Sequence, residues 1–124
     1  MNTRKIGYIG EGIAKKYLES KGYNTLCVNY YSGYGEIDII SCIDKYIIFV
    51  EVKTRKSTLY STPAQAVNSR KQRKIINSAL DYIIKNNIKL QPRFDVIEII
   101  KNRGKVEINH IINAFWQEEN NASF

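Results

Sequence analysis

Apolar residues recur every three to four positions through Ile6, Ile9, Ile13, Ala14, Tyr17 and Leu18, which predicts a helix over 6–21 that stops at Gly22. The pattern then changes to alternating and continuous apolar runs, which predict strands at about 25–31, 36–42 and 46–53. Ser32-Gly33-Tyr34-Gly35 and Ile43-Asp44-Lys45 are short enough to be hairpin turns, so these strands should form an antiparallel meander. A polar loop from Thr54 leads to Thr62-Pro63, a helix-start signal. A second start, Ser69-Arg70-Lys71-Gln72, fits a capping box and opens a helix to about Asn86. Its stripe is Ile75, Ile76, Ala79, Leu80, Ile83 and Ile84. Two last strands, 94–101 and 105–112, flank the turn Asn102-Arg103-Gly104. The order α-β-β-β-α-β-β implies an α/β sandwich with a mixed sheet in one domain, 1–116, with 117–124 as a frayed polar tail.

Two short strings break the apolar pattern: Glu36-Ile37-Asp38 in the second predicted strand, and Glu51-Val52-Lys53 at the end of the third. Charges among Ile, Val and Phe are costly unless they are paired or bound to a metal. Period two places Glu36 and Asp38 on one face of their strand, and likewise Glu51 and Lys53. If the strands are neighbours, Asp38, Glu51 and Lys53 form an acidic pocket with one ammonium beside it. Such a pocket suits a hard cation such as Mg2+, which takes oxygen ligands and keeps waters for substrate. The competing explanation is a buried structural ion pair, but an acid followed by acid-x-lysine on adjacent strands is the more specific pattern.

Three further residues stand close to this pattern. Glu36 either shares the pocket or ends its turn with the carboxylate in water. Glu11 lies three residues before Ala14 and seven before Leu18, a spacing that aims it toward the sheet. It is a fourth pocket member or a solvated, capping glutamate. Gln72 precedes Ile76 by four residues and extends the helix stripe, and it is equally a capping-box partner for Ser69.

Charge then narrows the partner. The 124 residues carry 19 Lys and Arg against 12 Asp and Glu, a net charge of +7, which favours nucleic acid or an anionic membrane. No run approaches the roughly 18 apolar residues of a membrane span. The basic start Met1-Asn2-Thr3-Arg4-Lys5 leads into an amphipathic helix, so a cytoplasmic protein is expected. Cys27 and Cys42 fit as small core residues of predicted strands, and two thiols make no zinc site. With His110 the only histidine, a histidine-based nuclease, a zinc site and an acyl-transfer triad are all excluded. Gly33-Tyr34-Gly35 is a turn, so a phosphate-gripping loop is missing as well.

The basic residues cluster as Lys53-Thr54-Arg55-Lys56 and Arg70-Lys71-Gln72-Arg73-Lys74. Both clusters follow closely on the acidic strings. Either they are solvated faces, or Arg55, Lys56, Arg70, Lys71, Arg73 and Lys74 hold phosphates on both sides of a scissile bond without reading sequence. Tyr30, Tyr31, Tyr34 and Tyr60 either stack on bases or are ordinary amphipathic strand residues.

Asp, then Glu-x-Lys on the next strand, inside α-β-β-β-α-β, resembles the PD-(D/E)xK nuclease superfamily of restriction-endonuclease-like fold. Six ordered motifs narrow the likeness. They are Gly10-Glu11-Gly12 with Ala14, Gly35-Glu36-Ile37-Asp38, Phe49-Val50-Glu51-Val52-Lys53-Thr54-Arg55, Pro63 with Ala66-Val67, Lys71-Gln72, and Arg93-Phe94-Asp95-Val96. Together, over about 6–96, they resemble the small bacterial YraN-like family, related to archaeal Holliday-junction resolvases. The resemblance implies that Asp38, Glu51 and the backbone carbonyl of Val52 bind Mg2+, with Mn2+ a possible substitute. Lys53 would orient or help deprotonate the attacking water, and Glu11 would complete the acidic pocket. Ile37 replaces the proline of the superfamily's name, and Tyr34 stands where relatives often carry a second glycine.

The function this implies is a structure-selective DNA endonuclease of the resolvase-like kind, acting on branched or duplex DNA. Paired cuts by a resolvase suggest a homodimer, with weak support from the apolar region around Ile111, Ile112, Phe115 and Trp116. The alternatives are a non-catalytic nucleic-acid-binding or scaffold protein that kept the fold, and an RNA-processing nuclease.

Overall fold

Residues 47–50, Ile-Ile-Phe-Val, are apolar at every position, so their side chains leave on both faces of a strand and each face must be covered. That requirement organises the molecule. The computed structural model describes residues 3–56 and 67–116. Within them the chain runs α1 (Thr3–Ser20), β1 (Asn24–Tyr31), β2 (Glu36–Ile43), β3 (Tyr46–Lys56), α2 (Ser69–Lys85), β4 (Gln91–Asn102) and β5 (Lys105–Ile111). The five strands lie in chain order in one sheet, antiparallel throughout except for the parallel pair β3–β4. This is the α-β-β-β-α-β-β mixed-sheet sandwich of restriction-endonuclease-like type that the sequence predicts.

Each face of the sheet has its own core. On one face Ile47, Phe49, Phe94 and Val96 pack with Ile75 and Ala79 of α2. On the other, Ile39, Ile48, Val50, Ile97 and Ile99 pack with Ala14 and Leu18 of α1. Each Val, Leu, Ile or Phe among them contributes about 1.5–3 kcal/mol on burial, so both layers favour the folded sheet.

Helix ends follow from local chemistry. Gly22, at φ +93°, stops α1 as predicted, with Tyr23 N–H donating to the Leu18 carbonyl and Gly22 N–H to that of Glu19. Asn87, at φ +50°, closes α2 in the same way through Ile88 and Ile83. The N-cap of α2 is Asn68 rather than Ser69: its side chain accepts from Lys71 N–H at 2.9 Å. Gln72 therefore makes no capping box. Its amide donates back to the Val67 carbonyl at 2.9 Å.

Two other expectations change. The loop expected from Thr54 begins later, because β3 stays paired with β4 as far as Lys56 opposite Lys101. Ile9, Leu80 and Ile84 of the predicted stripes are exposed. Ser78 takes a buried place on α2 instead, bonded to Ser32 at 2.7 Å and donating to the Gly35 carbonyl at 3.3 Å. The predicted helix start at Thr62-Pro63, Tyr60, the Ile6 side chain and the tail 117–124 lie outside the described residues. No helix among the described residues is long and apolar enough to cross a membrane.

Candidate metal and nucleic-acid site

The β2–β3 ladder runs from Ile43↔Tyr46 to Ile39↔Val50 and ends there. One more step would set Asp38 against Glu51, but the strands have parted. The Asp38 carboxylate takes over as acceptor, with Val52 N–H donating to its Oδ2 at 2.8 Å. The acidic strings thus meet where the sheet opens. Burial, the neighbouring Glu51 charge and, more weakly, Glu11 push Asp38 up to about 7.

Glu51 is buried and carries two ammoniums on one oxygen. Lys71 Nζ lies 2.6 Å from Oε1 and Lys53 Nζ 3.7 Å from it. Burial and a hydrogen bond with Lys71 lower the Lys53 pKa. Burial works against the Lys71 ammonium too, yet its bonds to Glu51 and Lys53 outweigh that and raise its pKa. Lys71 holds the proton more tightly, and Lys53 gives it up more readily.

Glu11 arrives by close helix packing. A side chain on Gly10 would run into Thr54 Oγ1, so α1 lies tight against β3 and the next residue reaches the acidic end of the sheet. Burial, then the charge of Glu36, raises the Glu11 pKa, which a hydrogen bond from Asn29 partly offsets. With its amide nitrogen facing the two acids, Asn29 donates to Glu11 Oε1 at 2.6 Å and to Glu36 Oε1 at 3.0 Å.

Asp38, Glu51, Lys53 and Lys71 therefore converge, with Glu11 and Glu36 alongside. Gln72 is half-buried and committed to the Val67 carbonyl. Arg70, Arg73 and Lys74 are exposed on the first turns of α2, and Lys56 is exposed at the end of β3. Arg55 points at β4, where its Nε lies 2.7 Å from Glu98 Oε2. Ile111, Phe115 and Trp116 pack on the protein's own α2-side core, and Ile112 is exposed. Both cysteines are free thiols.

Three residues carry structure to which the sequence pattern assigned no role, although Asp95 falls within the motif Arg93-Phe94-Asp95-Val96. Glu98 is fully buried, held by Arg55 and by Asn109 Nδ2, which donates to Oε1 at 3.0 Å. Asp95, also fully buried, accepts two bonds from Arg93 at 2.7 and 3.0 Å and the Asn113 N–H at 3.0 Å, and lies 2.6 Å from His110 Nε2. Both acids interrupt the apolar run Phe94-Asp95-Val96-Ile97-Glu98-Ile99, the same signal that singled out Asp38 and Glu51. Asn29 left no such signal, because nothing in the pattern marks its backbone.

Among the described residues no three His, Cys, Asp or Glu side chains are placed to hold an ion by themselves. Magnesium does not need three: one or two carboxylates with water and substrate oxygens are its usual set. Asp38, Glu51 and the Val52 carbonyl are all hard oxygen donors, and burial together with the Glu51 charge makes the Asp38 carboxylate costly to hold ionised, a cost that a bound cation would offset. The residues fit such an ion.

The model of the uncharacterised protein family UPF0102 matches residues 10–99. A UPF0102 protein of Caldanaerobacter subterraneus is 45% identical over 119 residues, covering 93% of this chain and 98% of that relative. One from Alkaliphilus oremlandii is 47% identical over 116 residues, covering 91% and 99%. One from Clostridioides difficile is 47% identical over 116 residues, covering 93% and 100%. The matched residues take in Glu11, Asp38, Glu51, Lys53 and Lys71, and the chain belongs to UPF0102, the YraN-like family.

Proposed function

We propose that this protein is a divalent-metal-dependent phosphodiesterase, a structure-selective DNA endonuclease of the resolvase-like kind. The observation that carries the reading is the meeting of Asp38, Glu51 and Lys53 where β2 and β3 part, with Lys71 from the basic start of α2 reaching into the same place. Asp38, Glu51 and the Val52 carbonyl would hold Mg2+ or Mn2+. An ion held there supplies Lewis acidity, which acidifies water and offsets charge at the phosphorus. Lys53, the more readily deprotonated ammonium, orients the attacking water and handles its proton. Arg70, Arg73 and Lys74 grip the backbone on the helix side and Lys56 on the strand side, giving salt-sensitive affinity without sequence readout.

One observation favours a non-catalytic nucleic-acid-binding role instead: Lys71 already neutralises Glu51 at 2.6 Å. The two readings part on cleavage. Wild type and Asp38→Ala would be incubated with a labelled four-way DNA junction, linear duplex, single-stranded DNA and RNA, each with Mg2+, Mn2+ or EDTA. Metal-dependent cutting by wild type alone supports the nuclease reading, and the preferred substrate sets its class. Binding without cutting under every condition supports the non-catalytic role, and cutting by Asp38→Ala sinks the assignment of the site.

A further inference from the structure

Asn29 sits in the middle of β1 with φ +53°, in the left-handed region that non-glycine residues seldom enter and that Asn tolerates best. The flanking pairs Val28↔Ile39 and Tyr30↔Ile37 put it opposite Asp38. The backbone turn there has a visible effect on the strand's facing. Cys27 and Tyr30, three residues apart, both pack on the α2-side core, and so do Ile37 and Ile40 across the pair. Period two would hold Asn29 on the side of Cys27, yet Val28 and Asn29 are exposed in succession. The left-handed residue shifts the phase of the strand and leaves its amide among the acids.

An amide nitrogen has two hydrogens. Carboxylate oxygens accept, so the amide is assigned with its nitrogen toward them; in that orientation Asn29 places one hydrogen on Glu11 Oε1 at 2.6 Å and the other on Glu36 Oε1 at 3.0 Å, joining α1 to the start of β2. Without that bridge two carboxylates of like charge have reason to separate. We propose that Asn29 is a positioning residue that clamps Glu11 and Glu36 at the mouth of the Asp38–Glu51 site, making Glu36 a working member of the acidic set. The inference rests on the nuclease reading for its catalytic consequence, while the clamp itself stands on geometry.

The test uses the full chain with Asn29→Gly and Asn29→Asp. Both residues accept a left-handed backbone, and neither can donate the two bonds. Asn29→Gly should melt a few degrees below wild type and Asn29→Asp, which sets a third carboxylate between the two, lower still, with both variants folded at the assay temperature. On the substrate that wild type cuts, kcat should fall roughly 10–100-fold, the range for losing a residue that orients a metal site, with KM little changed. Mn2+ affinity by calorimetry should weaken in the same variants. Double-mutant cycles of Asn29→Gly with Glu11→Gln and with Glu36→Gln, read by thermal melting, should both be non-additive.

Additivity in both cycles overturns the clamp whatever the protein's activity. Non-additive cycles with wild-type kcat and wild-type Mn2+ affinity overturn its positioning role. If wild type binds Mn2+ but cuts nothing, the nuclease reading falls, and the clamp is judged on the cycles and on Mn2+ affinity alone. If wild type binds no Mn2+, the nuclease reading and the positioning role fall, and the clamp is judged on the cycles alone.

Discussion

Asp38 Oδ2 accepts the Val52 N–H at 2.8 Å one step beyond the last β2–β3 backbone pair, Ile39↔Val50. A side-chain carboxylate thereby completes a ladder that its own backbone has left. The arrangement frees space between the strands and satisfies a donor that would otherwise lack a partner. It also fixes Asp38 beside Glu51, where each charge makes the other more costly to hold. A site built in this way is unstable by itself and gains stability from whatever cation enters it.

That argument predicts the behaviour of Asp38→Asn. With Asp38 at about 7 in the fold and ~3.9 unfolded, the folded state binds more protons between those values. Stability therefore falls as pH rises from about 4 to 7, at up to ~1.4 kcal/mol per pH unit. Asn removes the titration while keeping an acceptor for Val52. The variant should melt several degrees above wild type at pH 7.5 without divalent ions, and the gap should close toward pH 4. Mg2+ or Mn2+ should raise the melting temperature of wild type and leave that of the variant unmoved. Equal melting across the pH range would refute the account.

Lys71 competes with any cation for Glu51, because its ammonium lies 2.6 Å from the same oxygen. Lys71→Ala should lower the melting temperature of the metal-free protein, since a buried carboxylate loses its nearer partner and keeps only Lys53 at 3.7 Å. Solvent reaches the Lys71 end of the pair and screens it to a scale of about 1 kcal/mol, so Mn2+ should bind roughly fivefold more tightly to the variant. Calorimetry with Mn2+ on both proteins decides it, and weaker binding by the variant would show Lys71 to be a helper rather than a competitor.

Patterning carried much of this molecule, and its failures have causes. Continuous apolar residues at 47–50 gave a strand covered on both faces, and charges inside apolar runs marked Asp38 and Glu51. Strict alternation set Glu36 and Asp38 on one face, but it does not run through this part of the sheet. Ile37 and Ile40 share a face across from a left-handed Asn29. A positive φ on a non-glycine residue has no signature in hydropathy. The extra length of β3 was hidden for a different reason: Thr54-Arg55-Lys56 is polar, and only its parallel partner β4 shows that it is strand. Glu98 and Asp95 were legible by the rule already in use, because an acid inside a β-run must be paired.

Gly10 sets how near α1 can come to β3. A methyl group there meets Thr54 Oγ1 at a distance no real contact allows. Gly10→Ala should destabilise the fold by about 1–3 kcal/mol and draw Glu11 away from the acidic end, weakening Mn2+ binding as well. Adding Thr54→Ala removes the obstructing hydroxyl and should restore much of the melting temperature. Failure of the second substitution to rescue the first would place the strain elsewhere.

Asp95 ties three elements together on the face opposite α2. Tyr17 of α1 bonds His110 Nδ1 at 3.1 Å, His110 Nε2 lies 2.6 Å from Asp95, and Arg93 joins Asp95 to Tyr23 through a 2.8 Å bond. Burial raises the Asp95 pKa, but the bonds from His110, Arg93 and Asn113 outweigh it and hold the carboxyl below its ordinary range. A lowered folded value means stability that is complete above the unfolded pKa of ~3.9 and is lost as pH falls through the folded one. Asp95→Ala leaves Arg93 buried without its carboxylate, which costs on the order of 3–5 kcal/mol. Urea midpoints for wild type and variant should differ most between pH 5 and 7 and draw together in stronger acid. This window lies below the one governed by Asp38, so the two carboxylates separate along the pH axis. A gap between the proteins that stays constant into acid would mean that Asp95 contributes through packing rather than through its charge.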